Sequence, residues 1–574
     1  MNRFILSAIL LTISAVSAQQ ENDLVKNLPG LLFEVNFKTY SGFVDANANG
    51  TWKMHYTLTE SRSNPDADPL LVWFNGGPGC SSLGGLFEEL GPFYVNYDGE
   101  TLYENPYAWN AKANVLYLES PIGVGFSYDT TTPNYFQAND DQTAGQNFLA
   151  LTNFFTVAQP KYANRTFFLS GESYAGIYIP MLTDLLTTAI NNNSFPNPNF
   201  AGSAIGNGFM NVAGLLNALV LWSGYHGRIS IQDWEQIKTQ CVKGADIDYF
   251  DFSQFTNASN KIDFAGDGSV CGNLIDPLIS QNAFGDGGFD QYNFYQECYD
   301  VSSFQAPAPT PAPGKRTKRA SHFNGQSSIK KNLRKPNNLA FTGTSNLNAN
   351  TAALINRYSN DNNWGYFCWN EDAVGKYLNT DAVQTALNIP QAWKDQKNTW
   401  QDCRDSIYNN YVLTYNTTNQ FFKNIITNVK TDFRFLIYNG DVDTVCNYLG
   451  DAYHIKKVAE ENNLTTNSRT PWFYSDNRQL AGYVQTYTGQ NANNATITID
   501  VLTVKGAGHM VPFDRAGPSV QMITNFIFAA SKGNVNYTDN SNFDTNIKLS
   551  PLVTGSSSTN FTMFILAIVA LFAF

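Results

Sequence analysis

The chain has 574 residues, 43% hydrophobic and only 15% charged. That length allows two or three domains, or one large α/β domain with an insertion, and that much apolar surface excludes global disorder. The 36 basic and 48 acidic residues leave a net charge of −12, so the basic field of a polyanion-binding surface is missing and nucleic acid is not an expected partner.

Residues 1–18 read as a secretory signal: Arg3, an apolar run over 4–16, then the small residues Val16 and Ala18 just before Gln19. Sequons for N-glycosylation begin at Asn49, Asn164, Asn192, Asn257, Asn416, Asn463, Asn494 and Asn536, a spread that fits a glycosylated protein of the secretory pathway. No fixed-period repeat is present, which excludes solenoids and propellers.

Short apolar runs at 70–74, 115–118, 166–169, 433–438 and 497–504 each enter a glycine-rich turn, and 140–156 and 518–530 carry helical periodicity. Strands ending in glycine turns with helices between them predict an α/β fold, a mostly parallel sheet covered on both faces. The first strand leads into Trp73-Phe74-Asn75-Gly76-Gly77-Pro78-Gly79-Cys80-Ser81-Ser82. Its consecutive glycines let backbone N–H groups approach an oxyanion. After the strand at 166–169 comes Gly171-Glu172-Ser173-Tyr174-Ala175-Gly176, the small-residue surround of a nucleophile elbow, with alanine at 175 where the usual pattern has glycine.

The rhythm breaks over about 209–375, read as an inserted cap between a first core part at 19–208 and a second at 376–535. Inside it, a linker at 301–350 opens with the alternating prolines of 306–314, which can join neither a ladder nor a helix interior. Lys315-Arg316-Thr317-Lys318-Arg319 follows, and cleavage after Arg319 is expected in so accessible a segment of a secretory protein.

A serine nucleophile needs a base, and the chain has five histidines: His55, His226, His322, His454 and His509. Only His509 follows a strong apolar strand, in the turn Gly506-Ala507-Gly508-His509-Met510-Val511-Pro512. The strand at 433–438 ends in Asn439-Gly440-Asp441-Val442-Asp443, which offers two carboxylates. Serine, then aspartate, then histidine is the chain order of α/β-hydrolases. No cluster of His, Cys and acidic residues suggests a metal, and no cofactor is expected. The C-terminal segment 536–574 ends in twelve uncharged, mostly apolar residues at 563–574, preceded by Gly555 and three serines. This matches a lipid-anchor addition signal, with a short membrane tail or an unprocessed end as alternatives.

These blocks, together with Glu119-Ser120-Pro121-Ile122-Gly123-Val124-Gly125-Phe126-Ser127-Tyr128, Gly176-Ile177-Tyr178-Ile179-Pro180 and Ile205-Gly206-Asn207-Gly208, closely resemble those of the serine carboxypeptidases, over roughly residues 24–530. The resemblance implies an α/β-hydrolase fold and release of C-terminal amino acids from peptides through an acyl-enzyme. It implies Ser173, Asp443 and His509 as the triad, leaving Asp441 structural. Gly77 and Tyr174 become the oxyanion donors. Asn75, Gly76 and Glu172, with Glu89 bonded to Glu172, become the site for the substrate's free carboxylate. A carboxylate substrate meeting two carboxyl groups binds only if one carries a proton, so cleavage should be best in acid.

Seven cysteines leave one unpaired in an oxidising compartment. The resemblance pairs Cys80 with Cys403, Cys241 with Cys271 and Cys298 with Cys368, and leaves Cys446 free. An acyltransferase built on the same acyl-enzyme, or a protective role towards a partner protein, are the alternative functions. A homodimer is left open, as is the destination: secreted, lysosomal, or lipid-anchored at the cell surface.

Overall fold

The structure is a computed structural model in which residues 21–96, 98–257, 264–279, 290–295, 371–475, 479–529, 533–542 and 548–553 are described. The expectations for the signal segment, the linker and its cut at Arg319, the Cys298–Cys368 bridge and the apolar end at 563–574 lie outside the described residues.

The strands are β1 (Thr39–Asp45), β2 (Trp52–Thr59), β3 (Leu70–Phe74), β4 (Phe93–Val95), β5 (Leu102–Glu104), β6 (Asn114–Leu118), β7 (Tyr128–Asp129), β8 (Phe167–Ser173), β9 (Phe200–Gly208), β10 (Phe433–Gly440), β11 (Thr465–Thr466), β12 (Thr470–Tyr474), β13 (Gln479–Gln490) and β14 (Thr496–Val504). All but the β4–β5 hairpin join one sheet, whose order runs β1-β2-β6-β3-β8-β9-β10-β14-β13-β11. The six strands from β6 to β14 pair in parallel, and both flanks are antiparallel.

Alternation along each buried strand divides the core between the two faces of the sheet. Leu70, Val72 and Phe74 of β3 join one hydrophobic cluster while Leu71 and Trp73 join the other; Phe435 and Ile437 of β10 likewise part from Leu436 and Tyr438. Helices α1 (Asp140–Asn153), α2 (Ala175–Asn191) and α4 (Tyr448–Glu461) cover the first face, and α5 (Ala516–Phe528) covers the second. Asparagine caps start three helices: Asn139 accepts from Gln142 N on α1, Asn211 from Gly214 N on α3 (Val212–Tyr225), and Asn447 from Gly450 N on α4.

The segment after β9 builds a small core of its own from Leu216, Val220, Ile237, Phe252, Ile275 and Leu278. The Cys241–Cys271 disulfide staples it, and a Cys80–Cys403 disulfide ties the glycine loop to the segment entering the second half of the sheet. Beyond residue 535, described residues of the C-terminal segment still pack on the core. Tyr537 is buried and donates to Asp500 at 2.8 Å, and its carbonyl accepts from Gln521 and Asn525. Ser550 donates to Glu104, and Pro551 accepts from Glu34 N. These polar pairings explain why a stretch with little apolar periodicity still docks. Among the described residues, no helix is long and apolar enough to cross a membrane.

Candidate active site

Parallel strands bring their carboxyl ends to one edge, and β3, β8, β9, β10 and β14 all deliver chemistry there. Ser173 closes β8 with φ +59°, a left-handed conformation rare for a residue with a Cβ. The turn is held open by missing side chains. A Cβ on Gly171 would lie 2.3 Å from the Phe74 carbonyl and 2.9 Å from the Ala175 Cβ, and one on Gly176 2.6 Å from Phe209 N. Ala175 is therefore tolerated because the facing residue, Gly171, has no side chain. Helix α2 starts directly at this turn, so its N-terminal dipole points at the serine.

Beyond β10, the Asp443 carboxylate is fully buried and collects four donors. Its Oδ2 accepts from His509 Nδ1 at 2.8 Å, Asn207 Nδ2 at 2.8 Å and Cys446 N at 3.0 Å, and its Oδ1 from Val445 N at 2.8 Å. The Asp443 oxygen facing Nδ1 fixes the imidazole proton there, which leaves Nε2 to face away as the base. Asp441 faces elsewhere and accepts from Gly506 N at 2.6 Å, bracing the turn before His509; burial raises its pKa. The Cys446 thiol is free, buried and hydrogen-bonded to Ser173, and burial pushes its pKa far up.

The glycine loop presses on the elbow from β3. A Cβ on Gly76 would lie 2.6 Å from Tyr174 N and 2.7 Å from Ser173 Cβ, and Gly77 has φ +104°. The loop and elbow backbones thus meet beside the serine, with room only for glycine. Behind them, Asn75 Nδ2 donates to Glu89 Oε1 at 2.9 Å and to Glu172 Oε1 at 3.2 Å. Asn75 is itself fixed by Trp73 Nε1 and Gly85 N. Both glutamates are buried and hydrogen-bonded to each other. Burial raises the pKa of each, and the Glu89 charge drives Glu172 further up. A bond between two carboxyl groups requires a proton, so the pair shares one.

The other described histidines are placed differently. His454 is buried against Thr418, and burial lowers its pKa to about 3; His226 stacks on Trp222 at 3.8 Å. His322 lies outside the described residues. His55 forms a second serine–histidine–carboxylate series, with Ser41 Oγ 2.8 Å from Nε2 and Glu119 2.8 Å from Nδ1. Ser41 donates its one proton to the Leu387 carbonyl, so it accepts from Nε2. Ser81, Trp400 and Phe126 N also donate to Glu119. Every member has a relative exposure of 2% or less, so no substrate reaches this series, and it works as a strut between β1, β2 and the glycine loop.

Several site neighbours gave no sequence signal. Tyr292 lies over the His509 ring at 4.9 Å, and its carbonyl accepts from His509 N at 2.6 Å. Asn207 orients Asp443, and Tyr438 lies beside the glutamate pair. These are contacts across the sequence; only Asn207 stood in a marked block, between Gly206 and Gly208, and that block named no role for it. Among the described residues, no group of three or more His, Cys, Asp or Glu is arranged to hold a metal ion.

Residues 29–529 match the serine carboxypeptidase family profile. A Caenorhabditis elegans protein described as serine carboxypeptidase ctsa-3.1 is 74% identical, covering 98% of each chain. The lysosomal protective protein of Mus musculus is 33% identical, covering 89% of this chain and 94% of its own. The crystal structure of KEX1(delta)p, a prohormone-processing carboxypeptidase from Saccharomyces cerevisiae, shares the fold at 19% identity and a TM-score of 0.59, covering 88% of this chain and 95% of its own. The chain thus belongs to the serine carboxypeptidase family.

Proposed function

We propose that Ser173, His509 and Asp443 are the nucleophile, general base and orienting carboxylate of this serine-type carboxypeptidase. The observation that carries the reading is the four-donor Asp443 carboxylate holding His509 Nδ1, at the same sheet edge as the strained Ser173. Ser173 Oγ attacks the last peptide carbonyl while His509 Nε2 takes its proton. The N–H groups of Gly77 and Tyr174 receive the oxyanion, and the imidazolium returns the proton to the departing amino acid. Water, deprotonated by the same imidazole, then releases the shortened peptide from the acyl-enzyme.

Peptide C-termini are the substrates. Asn75, the Gly76 N–H and Glu172, with Glu89 behind, form the site for the terminal carboxylate. The shared proton of the Glu89–Glu172 pair makes that site a donor in acid; ionisation of both groups would repel the substrate. An acidic compartment such as the lysosome is the setting this chemistry suits, and the mouse relative bears a lysosomal name. All eight sequon asparagines are exposed, in a chain that buries Asn75, Asn110, Asn114, Asn207 and Asn439, which supports their glycosylation.

A serine-directed fluorophosphonate probe tests the reading. It should label one peptide, at Ser173, and label nothing in Ser173→Ala, which should also lose peptide cleavage. Labelling at another residue, or cleavage surviving in Ser173→Ala, would overturn the assignment.

A further inference from the structure

One buried carboxyl group close to the proposed triad has no part in the mechanism above. Asp451 lies in the first turn of α4 and is fully buried. Its Oδ2 accepts two hydrogen bonds, from Gly208 N at 2.9 Å and from Asn439 Nδ2 at 2.7 Å. Gly208 ends β9 and Asn439 stands at the end of β10, so a single oxygen clamps the carboxyl ends of two adjacent strands.

Those two strand ends carry the orienting machinery. Asn207, next to Gly208, donates to Asp443 at 2.8 Å. Its Oδ1 accepts from Gly440 N at 2.9 Å, and Gly440 follows Asn439. The chain of contacts from Asp451 to the imidazole therefore passes through Asn207 and Asp443 with no gap. The ionisable groups that face Asp451 are Asp443, His509 and Cys446. His454, on the same helix, is engaged by Thr418. Helix α3, packed on α4, has no charged residue, and Arg434 of β10 and Asp500 of β14 lie further back along their strands.

We infer that Asp451 is a positioning residue of the catalytic arrangement: it locks the ends of β9 and β10 so that Asn207 and Asp443 meet His509 as one unit, and when ionised it adds a second negative charge behind the imidazole. The inference rests on the reading of Ser173, His509 and Asp443 as the triad. Burial pushes the Asp451 pKa up to about 7, so in acid the clamp is neutral. Above neutrality the second charge favours the imidazolium that forms as His509 takes the serine proton.

The test uses the full-length protein and an N-blocked amino-acid ester with no free carboxylate, assayed from pH 4 to 9. Asp451→Ala cannot accept either bond and should lose about tenfold in kcat with KM within about twofold. Asp451→Asn keeps an oxygen for both bonds and should restore kcat at pH 5. It cannot ionise, so the wild-type to Asp451→Asn ratio of kcat should rise about threefold or more between pH 6 and pH 8.5. A ratio flat from pH 4 to 9 would overturn the charge role. Wild-type kcat in Asp451→Ala would overturn the clamp. If Asp451→Ala fails to fold, the pH-dependent ratio of the other two proteins still decides the proposal. Ester hydrolysis surviving in Ser173→Ala would sink the triad reading itself, whatever the Asp451 variants do.

Discussion

Asp443 and Asp441 are two residues apart, and their surroundings give them different work. Asp443 holds Nδ1 of His509, whereas Asp441 accepts a backbone N–H from Gly506. Asparagine at 443 would offer the imidazole an amide in place of a carboxylate and permit the wrong tautomer. Asp443→Asn should therefore lower kcat by roughly three to four orders of magnitude with little change in KM. Asp441→Asn can still accept from Gly506 and should cost less than about tenfold. Steady-state kinetics on one peptide compares the two, and equal losses would contradict the assignment. From residues alone these two aspartates were indistinguishable, because both stand at the same strand end. What separates them is the contact each makes 66 and 65 residues further along the chain. The elbow, the glycine loop and the His509 turn were legible for the opposite reason: each is a local backbone problem that only glycine or alanine solves, so the constraint is written at the site. Tyr292 and Asp451 act through long-range contacts and left no such pattern.

Among the elements, the pairing of β3 with β8 sets how far the serine projects. Phe74 faces Gly171 in register, and the absent Gly171 side chain is the space the elbow uses. Gly171→Ala would force a methyl group against the Phe74 carbonyl and should destabilise the fold by about 3 kcal/mol while removing activity. Denaturant unfolding measures the first effect, and wild-type stability would refute the steric account. The central strands were readable because burial on both faces writes an apolar run, as in Leu70–Phe74 and, broken only by Arg434, the Phe433–Tyr438 part of β10. The flanking strands β1, β2 and β13 went unread: Thr39–Asp45, Trp52–Thr59 and Gln479–Gln490 mix polar and apolar residues at the rims of the sheet, where no run forms. Helix α1 ends at Asn153, short of the predicted 156, because its last turn widens into a π-helical turn over Phe154–Ala158.

Over the whole molecule, buried carboxyl groups tie stability to acid. Burial raises Asp23 to about 6 and Asp290 and Asp451 to about 7, and also raises Asp140, Asp184, Asp500 and the glutamate pair. A carboxyl whose pKa is higher folded than unfolded keeps a proton in the native state that the unfolded chain has released. Between about pH 4 and pH 7 the folded state therefore holds more protons, and stability falls as pH rises through that window. The melting temperature should be higher at pH 5 than at pH 7.5, and Asp451→Asn should reduce the difference. A melting temperature that rises steadily from pH 5 to 7.5 would contradict this. The same economy of buried acid serves the substrate site, where a shared proton at Glu89 and Glu172 admits a terminal carboxylate.

The most direct measurement pairs an N-blocked dipeptide bearing a free C-terminal carboxylate with its C-terminal amide, assayed from pH 4 to 8 beside Ser173→Ala and Glu172→Gln. Cleavage of the free acid should fade as pH rises towards 8 while hydrolysis of the amide persists. Glu172→Gln, neutral at every pH, should flatten the free-acid profile, and Ser173→Ala should cleave neither compound. Identical pH profiles for the acid and the amide would contradict the protonated carboxylate site. Cleavage of neither compound by the wild-type protein would contradict acid carboxypeptidase chemistry altogether.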